Sequence, residues 1–360
     1  SFEYTLILQT DSHSPTHNVD LNSTVSLEMI WVEPGTFTMG SPESEAGRGN
    51  DAGRETQHEV TLIQGFYLGK YEVTQAQYEA VMTGNTVADS NGNVISSTPS
   101  HFAGNPNRPV EMVSWNDIQK FLIRLNAQEA SNIQEGWAYV LPTEAQWEYA
   151  CRAGSTTVYS WGDTITSSDA NFAFDGLGTG QQTTNVGQYS SNLWGFYDMH
   201  GNVEELTADA WGTYATGAQT DPFNEGATGS LRVNRGGSWY SPGTNLRSAH
   251  RNNRNPSGRD ITVGFRVGFR QITKPPVNLN SVAELTVSEN QPIGTIVGEF
   301  NATDPDGNNS LITYHLVSGE GDGNNSLFTL DQNGTLKTAA MLDYEAGSSL
   351  TIRVQARDEY

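Results

Sequence analysis

One cysteine and seven histidines are the thiol and imidazole groups that this 360-residue chain offers for metal or nucleophilic chemistry. The histidines stand at 13, 17, 58, 101, 200, 250 and 315, and no two form an HxH or HExxH spacing. A GxSxG nucleophile elbow and a phosphate-binding P-loop are both absent. Cys151 closes a helical pattern with no histidine near it in sequence, so it reads as a small buried core residue. A lone cysteine also excludes a disulfide scaffold and any multi-cysteine metal site. What remains is acid in excess, 41 Asp and Glu against 19 Lys and Arg, a formal charge of −22. That balance argues against nucleic-acid binding, which needs clustered cations, and suits partial neutralisation by a hard cation such as Ca²⁺. The one basic cluster is Arg232, Arg235, Arg247, Arg251, Arg254, Arg259, Arg266 and Arg270. It either meets a carboxylate or sulfate ligand, or stacks on Trp and caps carbonyls inside a domain.

The elements that must position these residues fall into zones. Residues 1–10 place Phe2, Tyr4, Leu6 and Leu8 on one face by strict alternation, the pattern of a half-buried strand. A polar stretch at 11–26 reads as a linker, and Lys274-Pro275-Pro276 marks a second linker at 271–282. Between them, 27–270 is punctuated by Gly, Asn and Asp. It carries two helix signals: Ser114 or Asn116 capping a run with Ile118, Phe121, Leu122 and Leu125, and Thr143 with Gln146 as a capping box. Eight Trp and 14 Tyr supply apolar area for an ordered, loop-rich domain rather than a disordered one. Residues 283–360 read as short alternating strands. The longest apolar runs fall far short of the ~20 residues that span a bilayer, and no basic, then apolar leader opens the chain. The expected location is extracellular or on the cell surface.

The middle zone resembles the formylglycine-generating enzyme (sulfatase-modifying factor) family, in order and over about 240 residues. The carrying motifs include Trp31-Val32-Glu33-Pro34-Gly35-Thr36-Phe37, Pro109-Val110-Glu111-Met112-Val113-Ser114-Trp115, Leu141-Pro142-Thr143-Glu144-Ala145-Gln146-Trp147-Glu148-Tyr149-Ala150, Met199-His200-Gly201-Asn202-Val203, Arg235-Gly236-Gly237-Ser238-Trp239 and Val263-Gly264-Phe265-Arg266. The resemblance implies an elaborated C-type-lectin-like α+β fold. In catalytic members a cysteine pair just after the Gly-Gly-Ser motif holds Cu(I). Here that stretch runs from Trp239 to Arg247 without cysteine, the first position falling near Ser241. A serine oxygen does not replace a thiolate on Cu(I), so the resemblance to an oxidoreductase is retained as an alternative and no catalytic residue is assigned. The family's calcium loops are implied twice: by Asn171, the Phe172 carbonyl, Asp175 and the Leu177 carbonyl, and by the carbonyls of His200, Gly201 and Val203 with the Glu205 carboxylate. Arg235 to Arg266 also resembles the ligand-display surface of phage and bacterial proteins with this fold, with Asn245, Asn252, Asn253 and Asn255 as contacts.

Residues 283–360 resemble a cadherin module, a Greek-key sandwich. The motifs are Val287-Ser288-Glu289-Asn290, Ala302-Thr303-Asp304-Pro305-Asp306, Leu342-Asp343-Tyr344-Glu345 and Ala356-Arg357-Asp358. The resemblance makes Glu289, Asp304, Asp306, Asp343, Glu345 and Asp358 the expected Ca²⁺ ligands. The module reads to its sixth strand, at 350–358, while residues 1–10 have the pattern of the seventh. Four readings stay open. Either the chain is one period of a tandem array, or it closes its own module, or it donates its strand to a neighbouring copy and so builds a head-to-tail filament, or it pairs residues 1–10 within the middle domain. The expectation is a non-catalytic, calcium-stabilised bacterial surface protein of adhesion or assembly. Its partner would be itself, with a possible surface ligand, no nucleic acid and no membrane span.

Overall fold

The computed structural model describes residues 14–48, 54–88, 92–134, 136–173, 182–272, 276–283, 285–304, 312–318, 322–343, 345 and 349–357. Phe2, Tyr4, Leu6, Leu8, Asp175, Leu177, Asp306 and Asp358 lie outside the described residues. The chain divides into one compact unit ending at Arg270 and a second beginning at Gln271.

In the first unit, β1 (Thr16–Asp20), β2 (Ser26–Val32), β3 (Gly35–Met39), β4 (His58–Leu62) and β5 (Phe66–Gly69) precede α1 (Gln75–Met82) and α2 (Trp115–Gln128). There follow β6 (Trp137–Val140), α3 (Glu144–Arg152), β7 (Glu204–Ala210), β8 (Gln219–Thr220) and β9 (Arg232–Arg235). The unit closes with β10 (Arg251–Arg254), β11 (Val263–Gly264) and β12 (Gly268–Gln271). They form three sheets, ordered β1-β2-β5-β12-β6, β10-β9-β7-β11 and β3-β4-β8.

Both expected helices form, and for the expected reason. Ser114 and Asp117 cap α2 reciprocally, and Thr143 and Gln146 do the same for α3. Helix α1 was not anticipated, although Thr74 and Gln77 carry the same capping-box signature. Tyr78 of α1 stacks on Phe121 of α2 at 5.3 Å, and Phe265 meets both edge-on, fixing the two helices to one core. A second core lies around Trp147, Met199, Phe196 and Leu68. The stretch 11–26, read as a linker, contains β1, which pairs antiparallel with β2. Its inward side chains are Val19 and the His17 ring, stacked 4.7 Å from Phe269. A half-buried histidine does not register in an apolar alternation.

In the second unit, β13 (Val277–Ser281), β14 (Ile296–Thr303), β16 (Phe328–Leu330) and β17 (Thr335–Thr338) form a sheet ordered β13-β14-β17-β16. The remaining strands, β15 (Thr313–Leu316) and β18 (Val354–Arg357), pair only with each other among the described residues. Strand β13 sits inside the stretch 271–282 read as a linker. The described residues of this unit hold strands and 3-10 turns and no α-helix.

Candidate functional site

Strand β9 delivers the chain into Gly236-Gly237-Ser238, the loop in which the resemblance places copper chemistry. Gly237 has φ of +69°, and a Cβ there would lie 2.8 Å from the Asn245 carbonyl oxygen, so the close turn requires glycine. The turn brings Ser238 and Ser241 together, their hydroxyls 3.1 Å apart and the Ser238 N–H donating to Ser241 Oγ. Both are buried. Neither hydroxyl is hydrogen-bonded to a histidine or a carboxylate among the described residues. Nothing there activates a serine, because nucleophilic serines need an adjacent base.

The only thiol sits elsewhere. Cys151 is fully buried on α3, and tertiary folding sets its Sγ 3.6 Å from His200 Nε2, 49 residues away. His200 Nδ1 donates to the Leu246 carbonyl at 2.6 Å, which leaves Nε2 as an acceptor. Burial pushes the Cys151 thiol up to about 12 and the His200 imidazole down to about 4. The pair is therefore thiol and neutral imidazole, not thiolate and imidazolium, and has no nucleophilic character at neutral pH.

The arginines turn inward. Arg266 makes a two-pronged bond to Glu205, both prongs 2.6 Å, and Arg251 does the same with Glu144 at 2.5 and 2.7 Å. Arg247 holds Glu55 and Glu45, and Arg235 pairs with Glu148 while lying over the Trp147 ring. All four guanidinium groups are buried. Of the two readings of the arginine cluster, these four side chains follow the internal one: the planar, always-charged fork here satisfies internal carboxylates. Of the asparagines expected as contacts, Asn255 is exposed, whereas Asn252 donates to Glu204.

The expected calcium residues of this unit are placed as follows. Asn171 is buried, its amide nitrogen donating to the Gln182 carbonyl and to Asn202 Oδ1. Phe172 packs with Tyr159 and Leu246. Gly201 passes so close to Asn171 that a Cβ would stand 2.4 Å from its carbonyl oxygen. His200, Gly201 and Val203 follow one another into β7. Glu205 gives both oxygens to Arg266, and Oε2 also accepts from Trp147 Nε1 at 2.8 Å. A cation at this set would share Glu205 with an arginine, a competition that the sequence did not reveal.

Two further acids, absent from the sequence reading, crowd the same place. Glu72 accepts from the Asn202 amide and the Val203 N–H, and burial together with the Asp198 and Glu205 charges pushes its carboxyl well above the usual range. Burial lifts Asp198 to about 6. Glu144 shows the opposite balance: burial raises it, but Arg251 and Arg235 outweigh that and hold it below its ordinary value. Nothing local in the sequence pairs these acids with their arginines: Glu205 and Arg266 stand 61 residues apart, and Glu144 and Arg251 stand 107 apart.

In the second unit, Glu289, Asp343 and Glu345 each bring a carboxylate oxygen within 4.8 Å of the other two, the only such group of three His, Cys, Asp or Glu among the described residues. Three exposed like charges at this spacing repel, and all-oxygen donors suit a hard cation. Asp304 is buried and stands outside this group.

Comparison with known proteins gives two family matches. The model of the sulfatase-modifying factor enzyme 1-like domain matches residues 17–270, and that of the cadherin domain matches 283–360. A relative from Chlamydia caviae, named serine/threonine-protein kinase pkn1, is 32% identical over 255 residues, covering 66% of this chain and 37% of that protein. The chain thus spans under two fifths of that relative's length. Formylglycine-generating enzyme from Streptomyces coelicolor is 29% identical over 289 residues, covering 64% of this chain and 86% of the enzyme. Among solved structures, PvdO from Pseudomonas aeruginosa is 28% identical with a TM-score of 0.60, and variable protein 1 of Treponema denticola is 25% identical with a TM-score of 0.57. Each covers 72% of this chain and is itself covered completely. No described helix is long and apolar enough to cross a membrane.

Proposed function

From the premise that the chain belongs to the sulfatase-modifying factor enzyme 1-like family and continues into a cadherin domain, we propose that it is a non-catalytic surface protein of adhesion or assembly. The observation that carries this reading is Ser241, a hydroxyl bonded to Ser238 near the position where the resemblance expects the first soft thiolate. The likeness to a protein named for its variability rather than for catalysis supports it. In this reading the first unit is a rigid building block, and the cadherin domain joins one unit to the next.

Calcium would be held by Glu289, Asp343 and Glu345, joined by Asp304, Asp306 and Asp358. The ion would neutralise their mutual repulsion and stiffen the junction. The loop sets around Asn171 and Glu205 would lock the first unit. Strand β18 has one described neighbour, and several apolar side chains of this unit face solvent. An open strand edge is a template for a further strand, and residues 1–10, with Phe2, Tyr4, Leu6 and Leu8 alternating, fit that role. They would come from a second copy or from a preceding repeat.

The test is electron microscopy and sedimentation of the full chain, with Ca²⁺ and with chelator, beside a variant lacking residues 1–10. Assemblies that form with Ca²⁺, loosen in chelator and vanish on truncation are expected. Monodisperse particles under every condition would remove the assembly reading. Conversion of a cysteine peptide to formylglycine by the copper-loaded chain would remove the non-catalytic one.

A further inference from the structure

The first unit contains a cavity of about 480 Å³ that neither the family chemistry nor the calcium sites use. It lies between β7, β8 and the start of α3, and falls within the ~300–1,000 Å³ typical of small-molecule sites. Its charged lining is Glu144, Asp209, Asp221 and Arg251. Arg251 is spent. Its Nε and Nη2 hold Glu144, its Nη1 holds the Arg54 and Gly212 carbonyls, and its plane lies 3.9 Å over Tyr214. That pairing occupies Arg251 on Glu144 and leaves Asp209 and Asp221 as the surplus charge of the lining.

The lining is also rich in acceptors and poor in donors. Asp221 uses Oδ1 to accept from the Ile63 N–H, while its Oδ2 is buried with no hydrogen-bond partner among the described residues. His58 is 8% exposed, and its Nδ1 faces the Thr56 carbonyl at 2.9 Å. A carbonyl only accepts, so Nδ1 carries the proton and Nε2 is left an acceptor. Asp209 accepts from the Glu144 and Asn224 N–H groups and keeps further lone pairs. An acceptor left unmet in a buried place costs free energy until a donor arrives. Phe223, half exposed, supplies an apolar wall.

We infer that this cavity binds a small organic ammonium ion, its charge facing the Asp221 and Asp209 carboxylates, an N–H donor on His58 Nε2 and its apolar part on Phe223. An ammonium meets both requirements at once, positive charge and several donors. A neutral polyol meets only the second, and an anion meets neither. Burial and the Glu144 charge raise Asp209 to about 7, against the pull of Arg251, and Arg232 also attracts it. Arg270 attracts both acids from outside the lining, which moderates the field without filling the cavity.

The experiment is calorimetric titration of the full chain with benzylamine, with benzyl alcohol and phenylacetate as the neutral and anionic analogues. One benzylamine per chain is expected, with no measurable heat from the other two. Asp221→Asn keeps an oxygen for the Ile63 N–H and removes the charge, so affinity should fall about tenfold, ~1.4 kcal/mol. Phe223→Ala, at an exposed position that the fold does not need, should weaken binding several-fold and remains readable if Asp221→Asn melts early. Benzyl alcohol binding as tightly as benzylamine, no heat from benzylamine at millimolar concentration, or equal affinity in Phe223→Ala and in a folded Asp221→Asn would each overturn the assignment. None of these outcomes bears on assembly, which is read by microscopy.

Discussion

The first unit buries its charges, while the second exposes its apolar side chains. In the first, Arg235, Arg247 and Arg266 rank with Trp147 among the largest fully buried side chains, each beside a carboxylate. In the second, Ile293, Ile296 and Met341 are each more than 60% exposed, and the buried apolar side chains described are Ile312, Tyr314, Phe328 and Leu336. The difference follows from how each unit closes. Three sheets and three helices enclose the first, so its loops are tied by ion pairs that exclude alternatives. A two-stranded ribbon such as β15–β18 has little to pack against, and so small a sheet is marginal alone. In the proposed reading, a cation, another strand or both would cover the second unit.

The largest effect should come from breaking a buried ion pair. Arg266→Met leaves Glu205, Glu72 and Asp198 without their common cation, and the first unit should lose about 3–5 kcal/mol. Calorimetry should show that transition fall while the second unit's stays in place. A shift of both together would mean that the units melt as one, and the contrast between them would fail.

Calcium removal is the converse. Chelator should lower the second unit's transition, by about 2.7 kcal/mol relative to Ca²⁺ at a hundredfold excess over its dissociation constant. Glu289→Gln combined with Asp343→Asn should make that unit indifferent to chelator. A transition that ignores calcium in the unchanged chain would separate the acidic trio from any ion.

A smaller effect is expected from pH. The folded value of Asp209, about 7, lies above its unfolded value, so the native state holds the extra proton between the two. The first unit should therefore lose stability as pH rises from about 4 to about 7. Asp209→Asn should flatten that fall, and an unchanged slope would place its cause elsewhere. Glu144, Glu55 and Asp117, held low chiefly by arginines acting against burial, work in the opposite sense and only in more acidic solution.

The smallest effect sharpens the contrast from the other side. Ile296→Ser, at a position 61% exposed, should change stability by no more than about 0.5 kcal/mol by thermal melting. A loss of several kcal/mol in assembled material, absent in monomer, would show that this face is covered on assembly.

The elements were legible where the signal is local. Helices α2 and α3 were readable from capping residues and apolar spacing, and α1 was readable by the same rule though it went unread. The motif series placed the family, and the missing cysteines near Ser241 spoke against the copper chemistry before any coordinate. Strands β1 and β13 were hidden in stretches read as linkers. His17 does its packing as an aromatic, and Val277 and Leu279 of β13 alternate with asparagines over too short a span. The expected cadherin acids were named by residue type, and of the six the described structure gathers Glu289, Asp343 and Glu345 and leaves Asp304 apart.

What the sequence determined by itself is therefore what spacing along the chain can encode: caps, short periodicities, motif order, net charge and the absence of a second thiol. Only the tertiary structure decided which acid meets which arginine, that Cys151 meets His200, and that Asp209, Asp221 and His58 share one cavity. Those meetings join residues many tens of positions apart. Their strength comes from desolvation, which acts on a side chain only once the rest of the fold has closed around it.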